Sequence, residues 1–285
     1  MTISDDQLKE LELLATKIRL DTLKSIQHMG QGHLGGSFSI VELLAVLYGK
    51  QMKINPKNPN WPDRDWLVLS KGHAGAGLYS ALANVGYFDK DWLFTINEGG
   101  TRLPSHPDRL QTPGVDVTTG SLGQGTSMAA GIATGLKLAN KTNDVYLIVG
   151  DGELNEGQCW EAFQYIAHAK LHHCIVIIDD NKKQLDGPTA EIMNPFDLQK
   201  KMQAFGFHTL KVKGAEIKAI DAAINDCKSI ENKAVCIILD SIKGQGVPYF
   251  ETLEENHSVK FNNDRVNQAA EQAVQELEAK IVQGV

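Results

Sequence analysis

The sequence lacks the features that mark secreted, membrane-spanning and nucleic-acid-binding proteins. Its four cysteines show no C-x-x-C spacing and no secreted disulfide framework, so we expect reduced thiols in a reducing compartment. No apolar run approaches the roughly 18 residues that a membrane span needs, and the acidic N-terminus has no signal-peptide core. With a net charge of −7 and no basic stripe, we expect a cytoplasmic protein that binds neither membranes nor nucleic acid.

The composition is that of a globular protein. Apolar residues make up 42% of the 285 residues and charged residues 22%, which is enough to build a full core and excludes disorder and collagen-like repeats. The chain has no internal repeat, no low-complexity tract and no convincing linker. We therefore expect a single domain over residues 1–285.

Apolar runs alternate with helical patterns along the chain. Continuous apolar runs typical of buried parallel strands lie at 66–69, 145–151, 174–180, 207–212 and 235–242. Helical periodicity separates them at 160–169 and 217–227, and a last helix follows Asn263. This order predicts an α/β fold with a doubly wound, mainly parallel sheet and helices on both faces. Ligands then bind at the carboxyl ends of the strands.

Two capping boxes predict helix starts near the N-terminus. Ser4 with Gln7, and Ser39 with Glu42, each place a hydroxyl three residues before a side chain that can return a hydrogen bond. The glycine-rich stretch between the two helices, 32–36, is expected to be a flexible loop.

A glycine-flanked aspartate ends the strand at 145–151. Asp151 stands in Gly-Asp-Gly, and Asn181 ends the next strand 30 residues later, so both reach the same edge of a parallel sheet. A carboxylate and an amide oxygen suit Mg²⁺, which takes its other oxygens from phosphates and water. The glycines and the following helix N-terminus suit a diphosphate. Taken alone, Gly-Asp-Gly is more typical of an ordinary turn.

Other motifs are ambiguous when each is taken alone. The glycine-rich segment 119–125 opens a helix of small residues, either as a tightly packed helix entry or as a ligand loop. His73 follows a strand, His33 lies among glycines and His106 lies near two prolines, and each is compatible with a structural role. A zinc site would lack a defined ligand set among the histidines outside these motifs, notably His168, His172 and His173.

The motifs in their order resemble the N-terminal, diphosphate-binding domain of transketolase. They are GHLGGS, SKGHA, TGSLGQG and GDGELNEGQCWEA, and the resemblance runs from Gly32 to about Asn262. It implies the thiamine diphosphate-binding fold and transfer of a two-carbon ketol unit between sugars. It also implies thiamine diphosphate with Mg²⁺, or another divalent cation such as Ca²⁺ or Mn²⁺, as cofactors.

The resemblance also implies roles for individual residues. The implied cofactor contacts are His73, Gly120, Ser121, Leu122, Gly152, Glu153 and Asn181. The implied metal ligands are Asp151, Asn181 and the main-chain carbonyl of Lys183. Since the main chain supplies the third ligand, a lysine at 183 does not forbid the site.

Three histidines correspond to residues that face the sugar. By resemblance, His33 and His257 lie near the C3 hydroxyl of the substrate and His106 near its C1 hydroxyl. Cleavage of the C2–C3 bond needs a general base, which a histidine near neutral pKa can supply. We expect His257 in this role with support from His33. The family often has Trp-His-Gly where this chain has Asn-His-Ser around His257.

The resemblance implies an incomplete active site. In the family, a glutamate that activates the cofactor lies in a second domain, as do most arginines that bind the sugar phosphate. We therefore expect the N-terminal subunit of a split transketolase, which needs a C-terminal subunit in a heterotetramer with two copies of each and acts on sugar phosphates. The small-residue helix after 119–125 suits a subunit interface. Alternatives are a subunit of a 1-deoxyxylulose 5-phosphate synthase, a ketol transferase for an unusual sugar, or a non-catalytic cofactor-binding module.

Overall fold

A parallel sheet of five strands organises the chain, which a computed structural model describes from residue 3 to residue 284. The strands, in chain order, are β1 (Gln31–Gly32), β2 (Trp66–Leu69), β3 (Val145–Gly150), β4 (Cys174–Asp180), β5 (Lys183–Gln184), β6 (Gly187–Pro188), β7 (His208–Lys213), β8 (Val235–Asp240) and β9 (Val259–Lys260). The sheet order is β2-β3-β4-β8-β7, with every neighbouring pair parallel. The short strands pair antiparallel, β1 with β9 and β5 with β6. The five predicted strands are therefore confirmed, with small shifts at their ends.

Helices connect the strands and cover the sheet. They are α1 (Asp5–Met29), α2 (Leu34–Phe38), α3 (Val41–Val46), α4 (Gly75–Asn84), α5 (Gln124–Leu138), α6 (Gly157–His168), α7 (Thr189–Ile192), α8 (Leu198–Ala204), α9 (Ile217–Ser229), α10 (Pro248–Thr252) and α11 (Asp264–Gln283). A π-helical turn at Leu47–Gln51 extends α3. Short 3₁₀ turns lie at Gly72–Ala74, Lys90–Thr95 and Gly152–Asn155.

The sheet separates two hydrophobic cores. On β4, Ile175 and Ile177 face one core with α1, α3, α4, α9 and α11, while Val176 and Ile178 face the other with α5, α6 and α8. Alternate side chains of a strand point to opposite faces, so a strand buried on both sides must be apolar throughout. The predicted α/β class with helices on both faces is confirmed.

The first predicted capping box forms and the second does not. The Ser4 hydroxyl accepts a hydrogen bond from the Gln7 amide at 3.2 Å, and the Gln7 side chain accepts one from the Ser4 amide at 3.3 Å. The box at Ser39 was a wrong prediction. Its hydroxyl instead donates to the buried Asp179 carboxylate at 2.7 Å, and α3 begins at Val41 without a side-chain cap.

The stretch after His33 is also more ordered than its glycines predict. Residues 34–38 form the buried helix α2 instead of a flexible loop. The amide of Gly35 donates to the carbonyl oxygen of Asn256 at 3.1 Å, and a Cβ at Gly35 would lie 2.2 Å from that oxygen. This glycine therefore permits a close backbone contact, which ties the segment to the loop before β9.

A buried ion pair fixes the loop that follows β8. Arg19 of α1 pairs with Glu42 of α3 at 2.6 Å, and its Nε donates to the carbonyl oxygen of Gln245 at 3.1 Å. The Gln245 side chain donates to the second Glu42 oxygen at 2.8 Å. Gly246 has φ +88°, and a Cβ there would collide with the Arg19 guanidinium. The loop is thus held from within the core.

The structure bears on two features that the sequence lacks, disulfide bonds and membrane-spanning helices. All four cysteines are buried, and none of them forms a disulfide. Within residues 3–284, none of the helices combines the length and the apolar character that crossing a bilayer requires.

Replacing Ile177 with alanine tests the two-core arrangement. Ile177 is fully buried at the centre of the sheet, so Ile177→Ala should lower the free energy of unfolding by about 2–5 kcal/mol. Leu138, at the exposed end of α5, is the control, and Leu138→Ala should change it by less than about 0.5 kcal/mol. Urea unfolding measures both values, and equal losses would contradict the assigned core.

Candidate functional site

Four histidines from separate segments converge at the carboxyl edge of the sheet. The ring centroids of His33, His73 and His257 lie 5.0 to 5.4 Å from one another. The His106 ring lies 6.2 Å from that of His33. The structure therefore brings together all four histidines that the sequence motifs single out.

Local pairing explains why these histidines meet. Gly32 pairs with Val259 in the β1–β9 ladder, which brings His33 and His257 side by side. His73 follows the end of β2, and Gly36 leaves space for it, since a Cβ there would lie 3.2 Å from the His73 Nε2 atom.

Contacts on both sides of His106 hold its loop. Tyr79 donates its hydroxyl to the Pro104 carbonyl oxygen at 2.7 Å, and the Thr119 amide donates to the Pro107 carbonyl oxygen at 3.1 Å.

Two buried lysines stand behind the histidines. Lys243 Nζ lies 2.9 Å from His257 Nδ1 and 3.0 Å from the carbonyl oxygen of Lys183. Lys71 Nζ is 2.6 Å from both the Asp179 carboxylate and the Gly36 carbonyl oxygen. Burial lowers the pKa of Lys243 to about 8. One wall of the site therefore carries positive charge.

Burial and these cations keep His33, His73 and His257 neutral. The pKa of His257 falls to about 3, because of burial first and then the charge of Lys243. The pKa of His73 lies well below its usual range, through burial and then Lys71. The pKa of His33 is also lowered, mainly by burial. An anion among these groups would favour their charged forms.

Oxygen atoms gather beside this wall, at the ends of β3 and β4. The Asp151 carboxylate accepts hydrogen bonds from the amides of Gly152 and Lys182, at 2.8 and 2.7 Å. The Asn181 side-chain oxygen accepts one from the Lys183 amide at 3.1 Å, and its nitrogen donates to Asp179 at 2.7 Å. The hydrogen bond from the Lys182 amide thus joins Asp151, at the end of β3, to the turn after β4 that carries the other two predicted metal ligands.

The chemistry of this turn fits a hard cation. Burial raises the pKa of Asp151 to about 7, and the charge of Asp179 adds to the effect. A divalent cation would reverse this destabilisation of the charged form. Within residues 3–284, no group of three or more His, Cys, Asp or Glu side chains is arranged to hold a metal ion. The end of β3 instead offers the Asp151 carboxylate, and the turn after β4 offers the Asn181 amide oxygen and the Lys183 main-chain carbonyl. This set suits Mg²⁺ with ligand phosphates better than zinc.

The glycine-rich segment with Gly120, Ser121 and Leu122 lies against the same edge. A Cβ at Gly72 would come within 2.8 Å of the Gly120 amide nitrogen, and one at Gly120 would touch the His106 ring at 3.4 Å. These glycines therefore let the segment pack closely against the end of β2 and the His106 loop.

Glu153 anchors this segment from below. Its buried carboxylate accepts hydrogen bonds from the Ser70 hydroxyl at 2.5 Å and from the amides of Gly123 and Gly150, at 2.8 and 3.1 Å. Gly152 is also crowded, since a Cβ there would lie 2.7 Å from the Gln184 Cβ.

Sequence reasoning missed three buried charged residues of this site, namely Lys71, Asp179 and Lys243. Lys71 and Lys243 stand within motifs that the sequence singles out, SKGHA and Lys-Gly-Gln-Gly. These positions, next to a candidate histidine and in a glycine-rich turn, are the sequence feature that could have identified the two lysines as site residues. Their burial depends on the fold, since most lysines are exposed.

The ionisation of His257 gives a direct test of this site in the cofactor-free chain. The unfolded chain binds a proton at His257 below about pH 6.5, whereas the folded chain does so only near pH 3. The free energy of unfolding should therefore fall as pH drops through that window, and less so in His257→Gln. NMR of the His257 ring should show no titration between pH 5 and 8, while a midpoint near pH 6.5 would contradict the described environment.

The sequence matches the family described as "Transketolase, thiamine diphosphate binding domain" over residues 11–281. It is 46% identical over 263 residues to 6-deoxy-6-sulfo-D-fructose transketolase subunit SqwG of Clostridium sp. strain MSTE9, covering 92% of this chain and 95% of that protein. It is 37% identical to one of the subunits of the apulose-4-phosphate transketolase of Actinobacillus succinogenes, covering 85% and 87% of the two chains.

Longer transketolases match through part of their length. The chain is 32% identical to human transketolase, with 96% of this chain and 43% of that protein covered. Its fold matches the Campylobacter jejuni transketolase structure with a TM-score of 0.85 and 29% identity, over 98% of this chain and 46% of that one. The chain thus spans under half the length of the transketolase structures it matches. The match over residues 11–281 confirms the predicted resemblance, and the chain belongs to the transketolase family through its thiamine diphosphate-binding domain.

Proposed function

We propose that the chain is the N-terminal subunit of a thiamine diphosphate- and Mg²⁺-dependent transketolase, active in the cytoplasm with a separate C-terminal subunit. One observation carries this proposal. Four histidines converge beside an oxygen-rich turn at the carboxyl edge of the sheet. This combination provides polar groups for a sugar next to a place for a metal-bound diphosphate.

The residues of the turn would hold the cofactors. Asp151, the Asn181 side-chain oxygen and the Lys183 carbonyl would bind the divalent cation, and the diphosphate would lie near His73. The glycine-rich segment with Gly120, Ser121 and Leu122 would also contact the cofactor, as would Gly152 and Glu153. When bound, thiamine diphosphate supplies the nucleophilic carbon and the electron sink for carbon–carbon cleavage.

The histidines would act on the sugar hydroxyls. His257, with support from His33, would take the C3 hydroxyl proton, and His106 would hold the C1 hydroxyl. The Lys243 ammonium donates to His257 Nδ1, which leaves the proton of a neutral ring on Nε2. His257 would therefore become a base once Lys243 has turned to an anionic ligand, whereas His33 needs no such change.

The site opening indicates where the anionic end of a sugar would be recognised. A cavity of about 180 Å³ opens beside His33 and His73, lined by small, apolar and amide side chains and by no lysine or arginine. Binding of a phosphate or sulfonate usually needs such cations. The partner chain would therefore supply them, as expected for a split active site.

The named relatives favour an unusual sugar as substrate. SqwG is named for 6-deoxy-6-sulfo-D-fructose, and the second relative for apulose 4-phosphate. We propose ketol transfer to or from an anionic ketose of this kind, with an ordinary ketose phosphate as the second candidate.

Two observations support a partner subunit. Relatives named as subunits are matched over 87% to 96% of their length. On α5, Gly131 and Gly135 have open space above them, and Met128 and Tyr165 are exposed next to this face. This face would meet another subunit in a heterotetramer with two copies of each chain.

Activity should depend on the partner subunit. We expect no ketol transfer from the purified chain, and transfer once the C-terminal subunit, thiamine diphosphate and Mg²⁺ are added. The assay would offer 6-deoxy-6-sulfofructose, apulose 4-phosphate and xylulose 5-phosphate separately, each with ribose 5-phosphate as the acceptor, and would detect the shortened carbonyl product and the lengthened ketose. Robust transfer by the single chain would overturn the split-enzyme proposal.

Asp151→Ala should abolish Mg²⁺-dependent binding of thiamine diphosphate by the assembled complex, because it removes the charged metal ligand. Titration calorimetry at several Mg²⁺ concentrations measures this. Asp63→Ala is the control, since Asp63 is an exposed carboxylate near the opposite end of the sheet and pairs with Lys141. Unchanged cofactor affinity in Asp151→Ala would mean that the metal is held elsewhere.

A further inference from the structure

Asp179 is a fully buried carboxylate with an unusual number of donors. Its Oδ2 atom accepts from the Ser39 hydroxyl at 2.7 Å, the Lys71 ammonium at 2.6 Å and the Asn181 amide at 2.7 Å. Its Oδ1 atom accepts from the Ser241 hydroxyl. Lys71 is itself 1% exposed, so the two charges are paired away from water.

This carboxylate restricts the orientation of the Asn181 side chain. An ionised carboxylate can only accept hydrogen bonds, so it selects the NH₂ group of a neighbouring primary amide. The Asn181 oxygen is then forced to the other side, where it accepts from the Lys183 amide at 3.1 Å. A reversed amide would place its oxygen against the carboxylate and its NH₂ group against the Lys183 N–H.

In this orientation the Asn181 oxygen lies against the turn that carries Lys183. The Lys183 amide that meets the Asn181 oxygen belongs to the residue whose carbonyl is a predicted ligand. The Lys182 amide donates to Asp151 at 2.7 Å, which joins this turn to the end of β3. Resting on the proposed function, we propose that Asp179, neutralised by Lys71, is a positioning residue that presents the oxygen of Asn181 to the divalent cation.

The ion pair also connects this turn to the histidine segments. Lys71 donates to the Gly36 carbonyl oxygen at 2.6 Å and lies two residues before His73. Ser39 and Ser241 bring α2 and the loop after β8 to the same carboxylate. Asp179 therefore lies where four segments meet, and it contributes to the stability of the fold. A test of its positioning role needs a control variant that separates loss of stability from loss of metal affinity.

Metal affinity distinguishes positioning from a structural role. Mn²⁺ binding would be measured by electron paramagnetic resonance on the assembled complex with thiamine diphosphate. Asp179→Leu, which has no acceptor for the Asn181 amide, should weaken Mn²⁺ binding by roughly 10- to 100-fold. Ser241→Ala is the matched control, because it removes a hydrogen bond to the same carboxylate and leaves the contact with Asn181. It should keep Mn²⁺ affinity within about 3-fold of the unsubstituted chain, a change smaller than loss of an outer-shell partner causes.

An exchange of the two side chains provides a rescue. If Asp179→Leu does not fold because Lys71 loses its counter-charge, Lys71→Met with Asp179→Leu replaces it and should show the same loss of affinity. In the triple variant Lys71→Met with Asp179→Asn and Asn181→Asp, no ammonium holds the amide oxygen, so the amide at 179 can donate to a carboxylate at 181, whose second oxygen faces the turn. Mn²⁺ affinity should recover relative to Lys71→Met with Asp179→Leu.

Two results would overturn the inference. One is an Mn²⁺ affinity in Asp179→Leu, or in its Lys71→Met form, equal to that of Ser241→Ala. The other is a side-chain exchange that recovers nothing. Absence of Mn²⁺ binding in the unsubstituted complex would instead contradict the proposed function, so the two failures are distinguishable.

Discussion

The buried pair of Lys71 and Asp179 is the interaction on which the carboxyl edge of this sheet depends. It joins α2, the end of β2, the end of β4 and the loop after β8. Removing one partner of such a pair costs about 3–5 kcal/mol, because the other charge stays buried. The loops that carry the histidines and the candidate metal ligands therefore cannot separate without exposing or stranding a charge.

Buried ammonium groups and buried carboxylates lie next to each other at this edge of the sheet. Burial, and then the charges of the Lys71 and Lys243 ammonium groups, hold the pKa values of His73 and His257 low and keep both rings neutral. A few residues away, burial and neighbouring carboxylates raise the pKa of Asp151 to about 7. A diphosphate would supply negative charge beside the ammonium groups, and its divalent cation would supply positive charge beside the Asp151 carboxylate. The electrostatics of the site thus suit a metal–diphosphate ligand better than a neutral molecule.

The parts of this protein that sequence reasoning predicted are those with a strong local signal. The five buried strands were readable because apolar residues continue through them, and the capping box at Ser4 because its partner is three residues away. The box at Ser39 failed because a distant carboxylate, Asp179, competes for the same hydroxyl. Helix α2 was missed because its glycines serve close packing against Asn256 and not flexibility.

The candidate site divides in the same way. His33, His73, His106, Asp151 and Asn181 stand in motifs whose order along the chain is itself informative. Lys71, Asp179 and Lys243 gain their importance from burial and from partners up to 140 residues away. No local pattern distinguishes a buried lysine from the exposed lysines that are far more common. Their roles became visible only in the folded chain.

Anomalous diffraction from Mn²⁺ tests the central claim most directly. Crystals of the chain assembled with its C-terminal partner, thiamine diphosphate and Mn²⁺ should give one strong peak per copy of this chain. We expect that peak within bonding distance of the Asp151 carboxylate, the Asn181 side-chain oxygen and the Lys183 carbonyl. A peak away from this turn, or a diphosphate bound at another edge of the sheet, would contradict the account.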